Sequence, residues 1–170
     1  IHDHTLDRTT DGKGPVESFT MAELKELDAG SWFSPEFRGA KLPTLREVLE
    51  LIKDHNVLLN VETKAALGFE QLNEKLAPLL DEYAMWEKTI ISSFNHYALV
   101  HIKAIRPQAR TGILYNCALV NPWVYAKSIG ASALHAHHKT AIAELVQAAQ
   151  QNGMMVNVWT VDEAVDIERV

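Results

Sequence analysis

The chain has 170 residues, 47% of them hydrophobic, and a formal net charge of -6. That is the size of one globular domain with enough apolar content for a core. The acidic balance weighs against a nucleic-acid or anionic-membrane surface, and no apolar run reaches the roughly 20 residues of a membrane span. Cys117 is the only cysteine, which excludes an internal disulfide and a cysteine metal cluster. A lone cysteine fits a reducing compartment, so a cytoplasmic location is expected. An exported form stays open, because the chain begins inside what reads as a motif.

In chain order, residues 5–43 are loop-rich, punctuated by Gly12, Gly14, Pro15, Gly30, Pro35, Gly39 and Pro43. One short helix is predicted behind the capping box Thr20–Glu23. A second box, Thr44–Glu47, opens a helix with Leu45, Val48, Leu49 and Ile52 on one face. "NVLLNVE" then reads as a strand and residues 69–83 as a helix, kinked or divided at Pro78. "KTIISSF" is a strand, and Asn95 caps a helix that stops before Pro107. "TGILY" is a strand, Asn121–Pro122 an N-cap with a first-turn proline, and Gly130 a stop. "SALHA" is a strand, 140–152 a helix ended by Gly153, "MMVNVWT" a strand, and "DEAVDIERV" a helix. Strands alternating with helices imply a parallel sheet with crossover helices. An open doubly wound sheet and part of a (β/α)8 barrel both fit, and five β/α units with a strand stub at residue 1 resemble a barrel lacking both ends. The expectation is an α/β fold, an incomplete (β/α)8 TIM barrel. It would be one partial domain over 1–170, with a loop-rich insertion at about 5–43 and β/α units from about 44 to 170.

Strand alternation puts Leu58, Asn60, Glu62 and Lys64 on one face of "NVLLNVETK". Buried parallel strands are normally apolar on both faces, and isolated buried charge is expensive. Glu62 and Lys64 therefore need partners, a metal or a polar cavity, at the strand end where ligand sites of α/β folds gather. A structural ion pair has even odds with a functional one. His2 suits acid–base work, and with His4 forms an H-x-H pair, although two solvated imidazoles are slightly the better reading of these residues alone. His135, His137 and His138 in "LHAHHKT" invite zinc, but no further histidine or cysteine stands at ligand-like spacing, so a polar rim is preferred. Trp159 ends a strand as either a pocket wall or a core residue. Gly12 and Gly14 in "TDGKGP" match no nucleotide-binding spacing and read as a turn.

Together these segments resemble the glycerophosphodiester phosphodiesterase family. The carriers are "HDHTLDRTTDGKG", "ELDAGSWFSPEFRGAKLPTLREVL", "LNVETK", "IISSF" and "VNVWTVD", which span almost the whole chain. The resemblance implies a (β/α)8 barrel that hydrolyses glycerophosphodiesters to an alcohol and glycerol 3-phosphate with a divalent cation, calcium or magnesium. It implies that His2 is one of two catalytic histidines, Glu62 a metal ligand, Lys64 a phosphate ligand and Trp159 a pocket residue near the glycerol end. Asp3 belongs to the motif as a possible support, and His4 falls at a variable position. Thr63 replaces an apolar residue and is expected to face away from the cavity. The family's H-R-G, E-N-T and E-x-D segments do not occur here, so the 170 residues alone are expected to be inactive and to bind metal weakly or not at all. The expected partner is a small-molecule substrate, with no nucleic acid and no stable membrane insertion; oligomeric state is left open. Two rivals stand: a barrel lipase of the phosphatidylinositol-specific phospholipase C or sphingomyelinase D type, and a non-catalytic phosphate-binding module on an open sheet.

Overall fold

The computed structural model describes residues 1–170, which divide into two compact units, Ile1–Ile52 and Lys53–Val170. The first unit is mostly loop around buried Leu6, Leu24 and Leu49. Its two helices, α1 (Met21–Glu26) and α2 (Leu45–Ile52), both begin at the predicted capping boxes. In α1 the Glu23 amide donates to Thr20 Oγ1 at 3.3 Å, and the Thr20 amide donates to Glu23 Oε2 at 2.7 Å. In α2 the Glu47 amide donates to Thr44 Oγ1 at 3.2 Å, and the Thr44 amide to Glu47 Oε2 at 2.7 Å. Lys25 Nζ donates to the same Glu47 carboxylate and ties the helices together. Between them the Asp28 carboxylate gathers the loop, accepting from the amides of Gly30, Ser31 and Gly39 and from the Ser31 hydroxyl.

The second unit alternates strand and helix throughout. Its order is β1 (Leu59–Glu62), α3 (Phe69–Glu82), β2 (Thr89–Ser93), α4 (His96–Ile105), β3 (Arg110–Tyr115) and α5 (Pro122–Ser128). There follow β4 (Ala133–His137), α6 (Ala143–Gln151), β5 (Met155–Trp159) and α7 (Ala164–Arg169). All neighbouring strands pair in parallel, in the order β1-β2-β3-β4-β5. That order decides between the two architectures. A doubly wound sheet reverses its direction of strand addition at a switch point, which puts helices on both faces. Here every crossover advances the same way, and right-handed crossovers then lay all helices on one face, as in a barrel. The five strands are a half-barrel of an incomplete (β/α)8 fold.

The two faces of the sheet differ as this requires. Leu59, Val61, Ile91, Ile113, Leu134 and Ala136 point to the helix side, and the last four are fully buried. The concave side carries Asn60, Glu62, Ser92, Gly112, His135, Asn157 and Trp159.

Local details refine the sequence expectations. α3 runs unbroken through Pro78, so the proline does not divide the helix. Pro78 and Glu74, whose carbonyl loses its helical partner, are both exposed, so water satisfies that carbonyl. Asn121 precedes Pro122 at the start of α5 but adopts a left-handed backbone, φ 51°, and its side chain makes no capping bond. α6 begins at Ala143 because a 3-10 turn, His138–Thr140, takes up the residues before it.

Candidate active site at the carboxyl end of the half-barrel

β1 ends at Glu62 on the concave face, and the chain leaves the sheet there. Lys64 lies beyond the strand, yet its Nζ returns to 3.3 Å from Glu62 Oε1. Both side chains keep more than a quarter of their surface exposed. An ion pair so exposed contributes at most about 1 kcal/mol, which leaves stability a weak reason for placing two charges here. Thr63, between them, is buried on the opposite side, and its amide donates to the Ser92 carbonyl at 2.8 Å. Ser92 Oγ on β2 accepts from Asn60 Nδ2 of β1 at 3.1 Å, so the row beginning at Glu62 continues with a buried polar residue.

The far side of the concave face is built by β4 and β5. The His135 ring is buried, with Asn157 Nδ2 at 3.0 Å from its Nε2. Burial pushes its pKa down to about 4, although the charge of Glu62 pulls it upward. Trp159 Nε1 donates to the His135 carbonyl at 2.9 Å. The indole also packs edge-on against His137 and Phe94, at centroid distances of 5.0 and 5.4 Å. Trp159 is half-buried at the strand ends. The three histidines of "LHAHHKT" diverge. His135 faces Asn157, His137 stacks on Trp159, and His138 Nδ1 lies 3.5 Å from the Asp166 carboxylate.

His2 and Asp3 belong to the first unit. His2 Nδ1 is 2.9 Å from Asp3 Oδ1, and Arg8 grips the same carboxylate through Nε and Nη2 at 2.6 and 2.9 Å. The Arg8 bonds, with a smaller contribution from His2, hold the Asp3 carboxyl well below the usual range. Asp3 is therefore an anion that can orient the His2 ring. His4 makes no side-chain hydrogen bond and is exposed, as a variable position allows.

The architecture and this site can be set beside known proteins. The model of the glycerophosphoryl diester phosphodiesterase family matches residues 1–170, the whole chain. The chain belongs to that family. The glycerophosphodiester phosphodiesterase of Caldanaerobacter subterraneus subsp. tengcongensis is 45% identical over all of this chain and 70% of its own length. That of Bacillus subtilis is 31% identical over all of this chain and 64% of its own. Among solved structures, an Oleispira antarctica phosphodiesterase in complex with the product sn-glycerol-3-phosphate superposes with a TM-score of 0.89 at 30% identity. It covers 99% of this chain and 69% of that one. Family membership makes this an enzyme chain, a phosphodiesterase on a TIM-barrel framework.

The concave face also carries Ser92, His135 and Asn157, which the sequence did not single out as site residues. Each lies in an apolar or mixed strand, and only the register places all three on the concave side. Alternation along β4 was the one available signal, since it sets His135 and His137 on one face.

Proposed function

We propose that the protein hydrolyses glycerophosphodiesters to an alcohol and glycerol 3-phosphate by histidine acid–base catalysis. The observation that carries this reading is the Glu62–Lys64 pair at the carboxyl end of β1, held at 3.3 Å in a chain of this family. A water oxygen bonds to phosphorus and releases its proton to solvent while the P–O bond to the departing alcohol breaks, and this gathers negative charge on the non-bridging oxygens. The Lys64 ammonium, a mobile point charge, pairs with those oxygens and stabilises them most in the transition state. His2 donates the proton that the departing alkoxide needs, with Asp3 fixing its ring. Trp159 packs against the carbon skeleton at the glycerol end. The Oleispira complex, which holds sn-glycerol-3-phosphate, supports a small-molecule ligand of this kind.

The family likeness also implies a divalent cation, calcium or magnesium, with Glu62 as a ligand. Such hard cations take six or more oxygens, with carboxylates beside carbonyls and waters for calcium and one or two carboxylates beside waters for magnesium. The residues of this chain do not fit that demand: no three His, Cys, Asp or Glu side chains converge, and the nearest charge to Glu62 is a lysine. A cation at Glu62 needs oxygen ligands beyond those the chain assembles.

The test is release of glycerol 3-phosphate from glycerophosphocholine, glycerophosphoethanolamine and glycerophosphoglycerol. It is run with the full-length protein and with the 170-residue chain, each with and without chelator. The expected result is release by the full-length protein, and loss of at least a hundredfold in Lys64→Met and in His2→Ala. Failure on every glycerophosphodiester overturns the substrate class.

A further inference from the structure

One concave row runs Glu62, Ser92, Gly112 in consecutive register across β1, β2 and β3. Its third position has no side chain of its own. The His135 ring, reaching over from β4, fills it instead. A Cβ on Gly112 would lie 2.3 Å from His135 Nε2 and 2.4 Å from Cδ2, so only glycine leaves room for the ring. The imidazole thus stands two strand spacings, about 10 Å, from the Glu62 backbone, with fully buried Ser92 between them.

The ring is held from two sides. Gly112 seats the edge that carries Nε2 and Cδ2, and the Asn157 amide donates to Nε2. Nε2 is therefore an acceptor, and the proton of the neutral ring sits on Nδ1. Nδ1 has no hydrogen-bond partner within the chain, although the residue is 94% buried by the 6% exposure of its surface. Nδ1 is not sealed from solvent, so this donor of an otherwise buried and immobilised ring is free to meet a ligand oxygen.

We propose that His135 is a ligand-contacting residue at the floor of this site, donating a hydrogen bond from Nδ1 to a hydroxyl of the substrate's glycerol phosphate portion. This rests on the glycerophosphodiester reading above and adds the residue that recognises glycerol as such. Lys64 serves the phosphate at the strand end, while His135 lies one layer below, where the glycerol carbons and their hydroxyls reach. Gly112 and Asn157 are positioning residues that act through the ring. A site built to bond a hydroxyl discriminates strongly against an analogue that lacks it.

The experiment compares sn-glycerol 3-phosphate, its 2-deoxy analogue propane-1,3-diol phosphate, and inorganic phosphate. Dissociation constants are measured by calorimetry on the full-length protein and on His135→Leu, His135→Gln, Asn157→Leu and Gly112→Ala. Wild type is expected to prefer glycerol phosphate over the deoxy analogue by about tenfold, one hydrogen bond's worth. His135→Leu loses that preference by weakening glycerol phosphate alone, and inorganic phosphate is unaffected. His135→Gln, which keeps a donor, restores part of it. Gly112→Ala behaves as His135→Leu although it removes no polar group, and Asn157→Leu provides the same readout should the crowded Gly112→Ala fail to fold. Equal weakening of all three ligands, or unchanged preference in the variants, overturns the proposal while the reaction assay still supports the substrate class. A wild type that binds no glycerol phosphate and hydrolyses no glycerophosphodiester overturns both.

Discussion

Burial holds the His135 imidazole at a pKa of about 4, below its ordinary 6.5. As pH falls from 6.5 toward 4 the unfolded chain takes up a proton that the folded chain refuses. The unfolded state binds more protons in that window, so stability rises with pH across it and is level above 6.5. At about 1.36 kcal/mol per pH unit, roughly 3 kcal/mol is lost by pH 4. The carboxylates held down by hydrogen bonds, Asp3 chiefly by Arg8, Asp28 by Ser31, Glu23 by Thr20 and Glu47 by Lys25, lose their contributions only below about pH 5, so the span from 6.5 to 5 is left to the histidine. Urea unfolding of the full-length protein at pH 7.5 and pH 4.5 is expected to show this loss in wild type and a flatter dependence in His135→Gln. Equal slopes would show that the ring does not control acid stability. At this scale the sequence was informative where motif and chemistry coincide, as at Glu62 and Lys64, which alternation set on one side with an ion pair among the alternatives. It offered His135 only within the "LHAHHKT" triad, as zinc ligand or polar rim, because neither the vacancy over Gly112 nor the bond to Asn157 is a local property.

At the scale of elements, the helix starts were written in short-range chemistry. Thr20, Thr44 and Asn95 cap the helices that the sequence assigns to them. The Thr44 box has an added role, since its Glu47 also receives Lys25. Thr44→Ala is expected to destabilise the protein by about 1 kcal/mol, measurable as a lower denaturant midpoint with an unchanged slope. Asn121 shows the limit of this reading. Asparagine tolerates a left-handed backbone as readily as it caps, and there it does the former. Strand lengths were less legible than helix starts. "NVLLNVE" yields only Leu59–Glu62, because Asn56 to Leu58 are exposed and have no ladder partner.

At the scale of the molecule, β1 pairs only with β2 and β5 only with β4, so the half-barrel presents two open edges. Unpaired edges template association. The 170-residue chain expressed alone is therefore expected to self-associate or precipitate, which sedimentation velocity would show; a monodisperse monomer with cooperative melting would contradict it. By itself the sequence determined the alternation of strand and helix, the capped starts and the family, because each depends on residue types at short, fixed spacing. Only the tertiary structure decided that the sheet winds in one direction as a half-barrel, and that His135 replaces the side chain Gly112 lacks. Both are set by strand order and register, which join residues from different strands and leave no mark on neighbouring positions in the chain.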